Sequence, residues 1–385
     1  MPPTGPRADE RFMQRAIEIA ERHVGETNPN PPVGCVLVRN GRVVGEGAHA
    51  RAGGPHAEAV ALQMAGSRAR EATAYVTLEP CAPNPEKRTP PCAPRLIAAG
   101  VRRVVFGARD LNPKVRGAGV RLLRAAGVDV VEGPCAGEAA RLTRPFNAAM
   151  RQGRPFITLK AGMTLDGCTA TAKGESKWIT SKAQRAAARR LRRLFDGVLV
   201  GVETAIQDDP MLLPEPRTRR PYTRVVFDSH LRLPVSSRLA GTARLHPLIL
   251  VCMEAAEARC AKFEALGAVV IRVDGAGGRV SLRAALQALF ARGLLSLLVE
   301  GGSEVMGSFV REGVFDELVL FRAPLVLGGR GSRPVVGGTN PKTLAEAVVV
   351  RRAKLEESTT LRYGLDGSPS VEVEVYERRP ERPGK

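Results

Sequence analysis

The chain is predicted to fold as an α/β protein in two domains, and three observations carry that expectation. Its 385 residues exceed what one ordinary core organises. Short runs rich in Val, Ile and Leu alternate with stretches of helical apolar spacing along almost the whole length, a pattern of helices layered on a largely parallel sheet. Between 144 and 156 the pattern is interrupted by Pro145, Gly153 and Pro155. The boundary is therefore expected near residue 150, giving domains 1–150 and 151–385.

Each element has a local reason. After Asp9, a residue suited to capping, Phe12, Met13, Ala16, Ile17 and Ala20 recur at helical spacing and predict a helix over 9–23. Strands are expected over 33–38 and 42–45, because Asn40-Gly41 between them tolerates the positive φ of a tight hairpin. Helix 57–65, strand 75–78, helix 91–99, strand 101–107, helix 119–126 and strand 128–131 follow. The second half begins with strand 157–161, helix 180–194 and strands 197–201, 224–228 and 248–252. Helix 254–266, strand 268–273, helix 281–291, strand 295–300, a helix to 310 and strand 317–321 come next. Closing strands are expected near 355–363 and 370–376. No internal repeat relates the halves.

Composition narrows the functional classes. Apolar residues make up 44% of the chain, no run approaches a membrane span, and residues 1–10 lack an apolar leader, so a cytoplasmic protein without membrane attachment is expected. Seven scattered cysteines point to reduced thiols, with Cys35, Cys135, Cys168, Cys252 and Cys260 reading as small buried hydrophobes. The net charge of +19 admits nucleic acid, but at 4% aromatic content the chain has little to stack bases on. A phosphorylated small molecule is the expected partner, with no nucleic acid, and a homo-oligomer is the expected assembly.

Chemistry concentrates in P-H-A-E at 55–58, E-P-C at 79–81 and P-P-C at 90–92. These supply one imidazole, two thiols and one carboxylate that is not needed as a ligand. His56, Cys81 and Cys92 as three Zn²⁺ ligands leave a fourth position for water, as catalytic sites do, whereas a structural site needs a fourth ligand such as His49. The metal lowers the pKa of its bound water to about 7, and Glu58 is placed to move the proton. Zinc deaminases combine such an H-x-E with P-C-x-x-C, so the substrate class is an amino-substituted heterocycle. Here Cys81 and Cys92 stand much further apart than C-x-x-C.

Signals in the second half are weaker. Val299-Glu300-Gly301-Gly302 before a helix suits backbone approach to a phosphate but is not G-x-G-x-x-G. Trp178, beside Ser176 and Thr180, reads equally as packing. A nucleic-acid base deaminase and a binding protein with a structural zinc stay open on these residues alone.

The run 25–65, with T-L-E-P-C at 77–81 and R-T-P-P-C at 88–92, resembles the deaminase domain of the bifunctional riboflavin-biosynthesis deaminase/reductase family. The resemblance continues through L-K-A-G-M-T-L-D-G at 159–167, G-E-S-K-W-I-T-S at 174–181, V-G-V-E-T-A-I-Q-D-D-P at 200–210, F-D-S at 227–229 and V-E-G-G at 299–302. It implies a cytidine-deaminase-like α/β/α domain followed by a dihydrofolate-reductase-like α/β domain. The first would deaminate a diaminopyrimidinone ribosyl phosphate with Zn²⁺ on His56, Cys81 and Cys92, Glu58 as the catalytic residue, and Asn30, His49 and Arg88 at the substrate. The second would reduce the ribosyl group to ribityl with NADPH. For NADPH the resemblance implies Gly162, Trp178, Thr204, Asp208, Ser229, Gly302, Ser303, Gly307 and Ser308, and for substrate Lys160, Ser176, Arg192 and Glu300.

Two departures stand out. Between Cys81 and Cys92 the chain reads A-P-N-P-E-K-R-T-P-P, two residues longer than the family's usual insert and without its His-Gly element. Arg88 keeps the basic position, and Lys87 adds a second cation. After D-D-P, Glu215 occupies the slot of an Arg that in the family helps hold the phosphate. Arg217, two residues on, is the expected replacement.

Overall fold

The computed structural model describes residues 6–83, 90–111, 116–329, 331–339, 341–342, 347–352 and 373–378. Arg88 and the expected strand over 355–363 lie outside the described residues. The chain divides into two compact units, Met1–Gly153 and Arg154–Lys385.

In the first unit, helix α1 (Pro6–Glu21) precedes the hairpin strands β1 (Gly34–Arg39) and β2 (Arg42–Ala48). Then come α2 (Ala57–Ala65), β3 (Thr73–Leu78), α3 (Cys92–Ala98), β4 (Arg103–Ala108), α4 (Ala118–Ala125), β5 (Asp129–Glu132) and α5 (Ala136–Gln152). The sheet order is β2-β1-β3-β4-β5. Strand alternation sorts side chains to two helical layers. Cys35, Leu37, Val104 and Phe106 meet Ala61 of α2, Leu96 of α3 and Leu123 of α4. Val36, Val38 and Val105 meet Met13 and Ile17 of α1 and Leu142 of α5. This is the expected α/β/α sandwich, but β1 pairs antiparallel with both β2 and β3, so only β3-β4-β5 is parallel.

Two local expectations change. Helix α1 begins at Pro6, so Asp9 is not a cap; it is buried inside the first turn, accepting from Tyr75 Oη at 2.7 Å and from both terminal nitrogens of Arg103 at 2.9 Å. Helix α5 runs straight through Pro145 to Gln152. One lost backbone donor costs less than the burial of Ala139, Leu142, Thr143, Ala148 and Ala149 returns, and the helix ends at Gly153, whose φ of +64° closes it.

The second unit opens with β6 (Phe156–Met163), β7 (Cys168–Ala170), α6 (Lys182–Leu191), β8 (Gly197–Gly201) and α7 (Val202–Asp208). Next are β9 (Thr223–Phe227), α8 (Arg238–Gly241), β10 (Leu248–Cys252), α9 (Glu257–Ala265) and β11 (Val269–Arg272). A small ribbon, β12 (Gly275–Ala276) with β13 (Arg279–Val280), leads to α10 (Leu282–Ala291), β14 (Ser296–Glu300) and α11 (Ser303–Arg311). Strands β15 (Glu317–Arg322), β16 (Arg333–Pro334), β17 (Val350–Arg352) and β18 (Val373–Arg378) complete it.

Its main sheet has the order β11-β10-β9-β8-β14-β6-β15-β18-β17. Neighbours from β11 to β15 are parallel, and β18 adds antiparallel to β15. Leu297 and Val299 face α10 and α11, while Leu298 faces α6. By the same alternation Glu300 falls on the α6 face at the carboxyl end of β14, in register with Lys160 of β6. Among the described residues no helix is long and apolar enough to cross a membrane.

Candidate metal centre and reductase cleft

Glycines set the position of the first site. Gly45 and Gly47 alternate on one face of β2, and a Cβ on Gly47 would lie 2.3 Å from the carbonyl oxygen of Ala57. Helix α2 therefore rests on bare strand backbone. This fixes its start, where His56 is the N-cap and Glu58 is buried in the first turn. Cys81 follows β3, and Cys92 opens α3 after Pro91. The two thiol segments are tied together, since Ala93 N donates to Cys81 O at 3.0 Å.

His56 Nδ1 stands 3.2 Å from Cys92 Sγ and 3.6 Å from Cys81 Sγ. The three donor atoms lie within 4.8 Å of one another, and among the described residues no other group of three His, Cys, Asp or Glu comes together in this way. Tetrahedral donors around one zinc stand about 3.5–3.8 Å apart. Electrostatics supports a cation as well. Hydrogen bonding from Cys92 pulls the Cys81 thiol down to about 4 against the effect of burial, and the same bond, with burial, pushes Cys92 up. Two thiols within reach of one imidazole bind a cation by releasing their protons to solvent. Burial and then the Cys81 charge raise the Glu58 carboxyl, which also touches the Cys92 thiol. The residues fit Zn²⁺ with three protein ligands and a free carboxylate.

His49 is not a fourth ligand. Its Nδ1 lies 3.0 Å from the Pro55 carbonyl, which only accepts, so Nδ1 carries the proton and Nε2 accepts from Asn30 Nδ2 at 3.2 Å. Burial lowers the His49 pKa and keeps the ring neutral. The rings of His49 and His56 meet edge to face at 5.5 Å, placing Asn30 and His49 beside the donor set.

The second site lies at the carboxyl edge of the parallel strands, where open α/β sheets take ligands. Arg192, in the turn after α6, donates to Glu300 through Nε at 2.7 Å and Nη2 at 3.0 Å, and through Nη1 to the Leu213 carbonyl at 2.9 Å. Lys160 Nζ is 3.8 Å from Glu300. Burial alone would raise Glu300, but Arg192 and Lys160 hold it down at about 2. Burial lowers Lys160 despite Glu300. The triad is a largely shielded cluster of two basic groups formally opposed by one carboxylate.

The residues expected at NADPH come from the ends of β6 and β9, the segment before α6, α7 and the start of α11. Gly162 closes on Thr180, leaving no room for a side chain. Gly301 and Gly302 have φ of +75° and +80°, and Thr204 packs against both. Gly302 caps α11, which turns the backbone N–H groups of Ser303 and its neighbours outward. Ser229 Oγ accepts from Val280 N at 3.2 Å. Trp178 is 69% exposed with Arg185 stacked 4.2 Å above its ring, and Asp208 pairs with Lys177 at 3.0 Å. Ser176 is exposed beside them. Gly307 and Ser308 are used inside the fold: a Cβ on Gly307 would strike the Gly337 carbonyl, and Ser308 Oγ donates to Glu304 O at 3.0 Å.

Arg217 lies near His246, whose pKa falls through burial and through Arg224 and Arg217. His246 precedes β10 at the amino edge of the sheet. The guanidinium that reaches Glu215 belongs to Arg189 of α6, a residue the sequence reading did not single out. Its only signal there was the spacing of Arg185, Arg189 and Arg192 along one helix.

A zinc-type centre in an α/β/α unit and a charged cleft in a parallel-sheet unit define a two-domain α/β enzyme with a deaminase-type metal site. Residues 6–108 match the cytidine and deoxycytidylate deaminase zinc-binding region, and residues 155–365 match the RibD C-terminal domain. The chain is 41% identical over 350 residues to the riboflavin biosynthesis protein RibD of Aquifex aeolicus, covering 90% of this chain and 95% of that one. It is 40% identical over 327 residues to RibD of Escherichia coli, covering 83% and 89%. A solved RibD of Acinetobacter baumannii superposes with a TM-score of 0.83 at 32% identity, covering 98% and 100%. A Thermotoga maritima diaminohydroxyphosphoribosylaminopyrimidine deaminase/5-amino-6-(5-phosphoribosylamino)uracil reductase gives 0.81 at 31%, covering 97% and 99%.

The chain belongs to the RibD family. It is a bifunctional enzyme of riboflavin biosynthesis, with Zn²⁺ in its deaminase domain and NADPH as the cofactor of its reductase domain.

Proposed function

We propose that residues 1–150 deaminate diaminohydroxyphosphoribosylaminopyrimidine and that residues 151–385 reduce the resulting 5-amino-6-(5-phosphoribosylamino)uracil at its ribosyl group. The observation that carries the first half is the convergence of His56, Cys81 and Cys92 with the buried Glu58 beside them. When bound there, zinc acidifies water to a pKa of about 7. Glu58 takes one proton from the attacking water and gives it to the ring nitrogen, then takes the proton of the newly formed hydroxyl and gives it to the amine, which leaves as ammonia as the carbonyl forms. Neutral His49, held by Pro55 O and Asn30, offers a fixed polar edge to the pyrimidine. Arg88 is assigned to the phosphate by the resemblance of R-T-P-P-C.

In the second half NADPH supplies a hydride to the sugar carbon. The protein's task is alignment, which places reacting atoms and excludes competing poses. Lys160, Arg192, Glu300 and Ser176 hold the ribosyl group. Gly162, Trp178, Thr204, Asp208, Ser229, Gly302 and Ser303 frame the cofactor, and Gly307 and Ser308 hold in place the helix that Ser303 opens.

We assign the enzyme to the cytoplasm, consistent with its seven free cysteines, and to a homo-oligomer. Leu165, Leu325, Val326 and Val336 are exposed apolar residues brought close by the backbone bonds Leu165 N to Leu325 O and Val335 N to Gly167 O, a surface suited to a second copy.

The test is Glu58→Gln. Ammonia release should fall by about 10²–10⁴-fold, while NADPH oxidation on already deaminated substrate keeps the wild-type rate. Loss of both activities together would contradict separate sites.

A further inference from the structure

Arg185, Arg189 and Arg192 fall on one face along α6 and the turn that follows it, and each has a different partner. Arg185 stacks on Trp178. Arg192, largely shielded, spends three of its five N–H groups on Glu300 and the Leu213 carbonyl. Arg189, between them, donates through Nε to the Glu215 carboxylate. The side chains of this last pair are 40% and 67% exposed.

Segment 213–215 is clipped over the end of α6. Glu215 N donates to Arg189 O at 3.2 Å, and Leu213 O accepts from Arg192. Arg189 therefore stands at the rim of the cleft whose floor is the Lys160, Arg192 and Glu300 triad. The triad has two basic groups to one carboxylate, and the Arg189–Glu215 pair has one of each. An exposed ion pair of this kind is weak, and its carboxylate returns to water at little cost. A phosphate monoester near neutral pH carries up to two negative charges and three acceptor oxygens, and it matches a guanidinium better than a single carboxylate does.

We propose that Arg189 binds the phosphate of the reductase substrate, and that Glu215 is a built-in counterion which holds this guanidinium until the phosphate displaces it. The proposal rests on the reductase reading above. Glu215 then works against substrate affinity, and its removal improves binding. A merely structural ion pair predicts the opposite.

The experiment titrates inorganic phosphate calorimetrically into the full-length, NADPH-saturated protein and measures reductase KM with phosphorylated and dephosphorylated substrate. The variants are Arg189→Ala, Arg189→Lys, Glu215→Gln and Arg217→Ala. Arg189→Ala should weaken phosphate binding and raise KM for the phosphorylated substrate by roughly ten- to a hundred-fold, with kcat changed by no more than about two-fold. Arg189→Lys should lie between Arg189→Ala and wild type. Glu215→Gln should tighten phosphate binding and lower KM by about two- to five-fold. Arg217→Ala should match wild type.

Equal phosphate affinity across the Arg189 and Glu215 variants overturns the proposal, as does a KM increase in Arg189→Ala that is the same with dephosphorylated substrate. Absence of NADPH oxidation by the wild type would instead overturn the reductase reading, and the phosphate titrations would still decide the role of Arg189.

Discussion

The metal centre and the reductase cleft solve opposite problems. At the centre, His56, Glu58, Cys81 and Cys92 come from the starts of two helices and the end of one strand, and each has a separate task. In the cleft, Lys160, Arg192 and Glu300 come from widely separated parts of the chain and share one buried charge balance. A site of single-purpose donors fails when any one is removed. A site of shared positioning degrades by degrees and takes fold stability with it.

The largest effect that separates the two is removal of the metal. Dialysis against a chelator, or Cys92→Ala, should remove ammonia release entirely and leave the reductase rate on deaminated substrate unchanged. Elemental analysis before treatment should find one zinc per chain. A fall in both rates would mean that the centre also supports the second unit, and the contrast would be lost.

A smaller and differently shaped effect is expected from Glu300→Ala. It leaves Lys160 and Arg192 buried without their carboxylate, a change that costs about 3–5 kcal/mol in comparable pairs. The second unit should melt earlier and reductase kcat/KM should fall, while deamination persists at temperatures where the second unit stays folded. Thermal unfolding followed together with both activities measures this. An unchanged melting profile would show that the triad serves substrate only.

The two sites also differed in how far the sequence disclosed them. The metal centre was legible because its residues sit at element ends marked by Pro and small residues. The wide spacing of Cys81 and Cys92 did not hide it, since a strand end and a helix start can converge whatever lies between. The antiparallel pairing of β1 with β3 was not legible, because buried strands of either sense look alike as apolar runs. Helix α5 was missed because Pro145 is a strong local signal, and the packing of Leu142 and Ala149 that overrides it is long-range.

In the cleft, Glu300 was legible only by resemblance. Its pairing with Lys160 depends on register between strands some 140 positions apart. Arg217 was expected to replace the missing phosphate Arg because it lies two residues beyond Glu215. The structure pairs Glu215 with Arg189, which is near in space and distant in sequence.

The most direct test of two independent chemistries in one chain is the mass of the product formed from the deaminase substrate, with and without NADPH. Without NADPH the product should have exchanged one amine for oxygen and nothing more. With NADPH it should also have gained two hydrogens. A substrate that keeps its amine in both samples, or that gains hydrogens before losing the amine, would contradict the account.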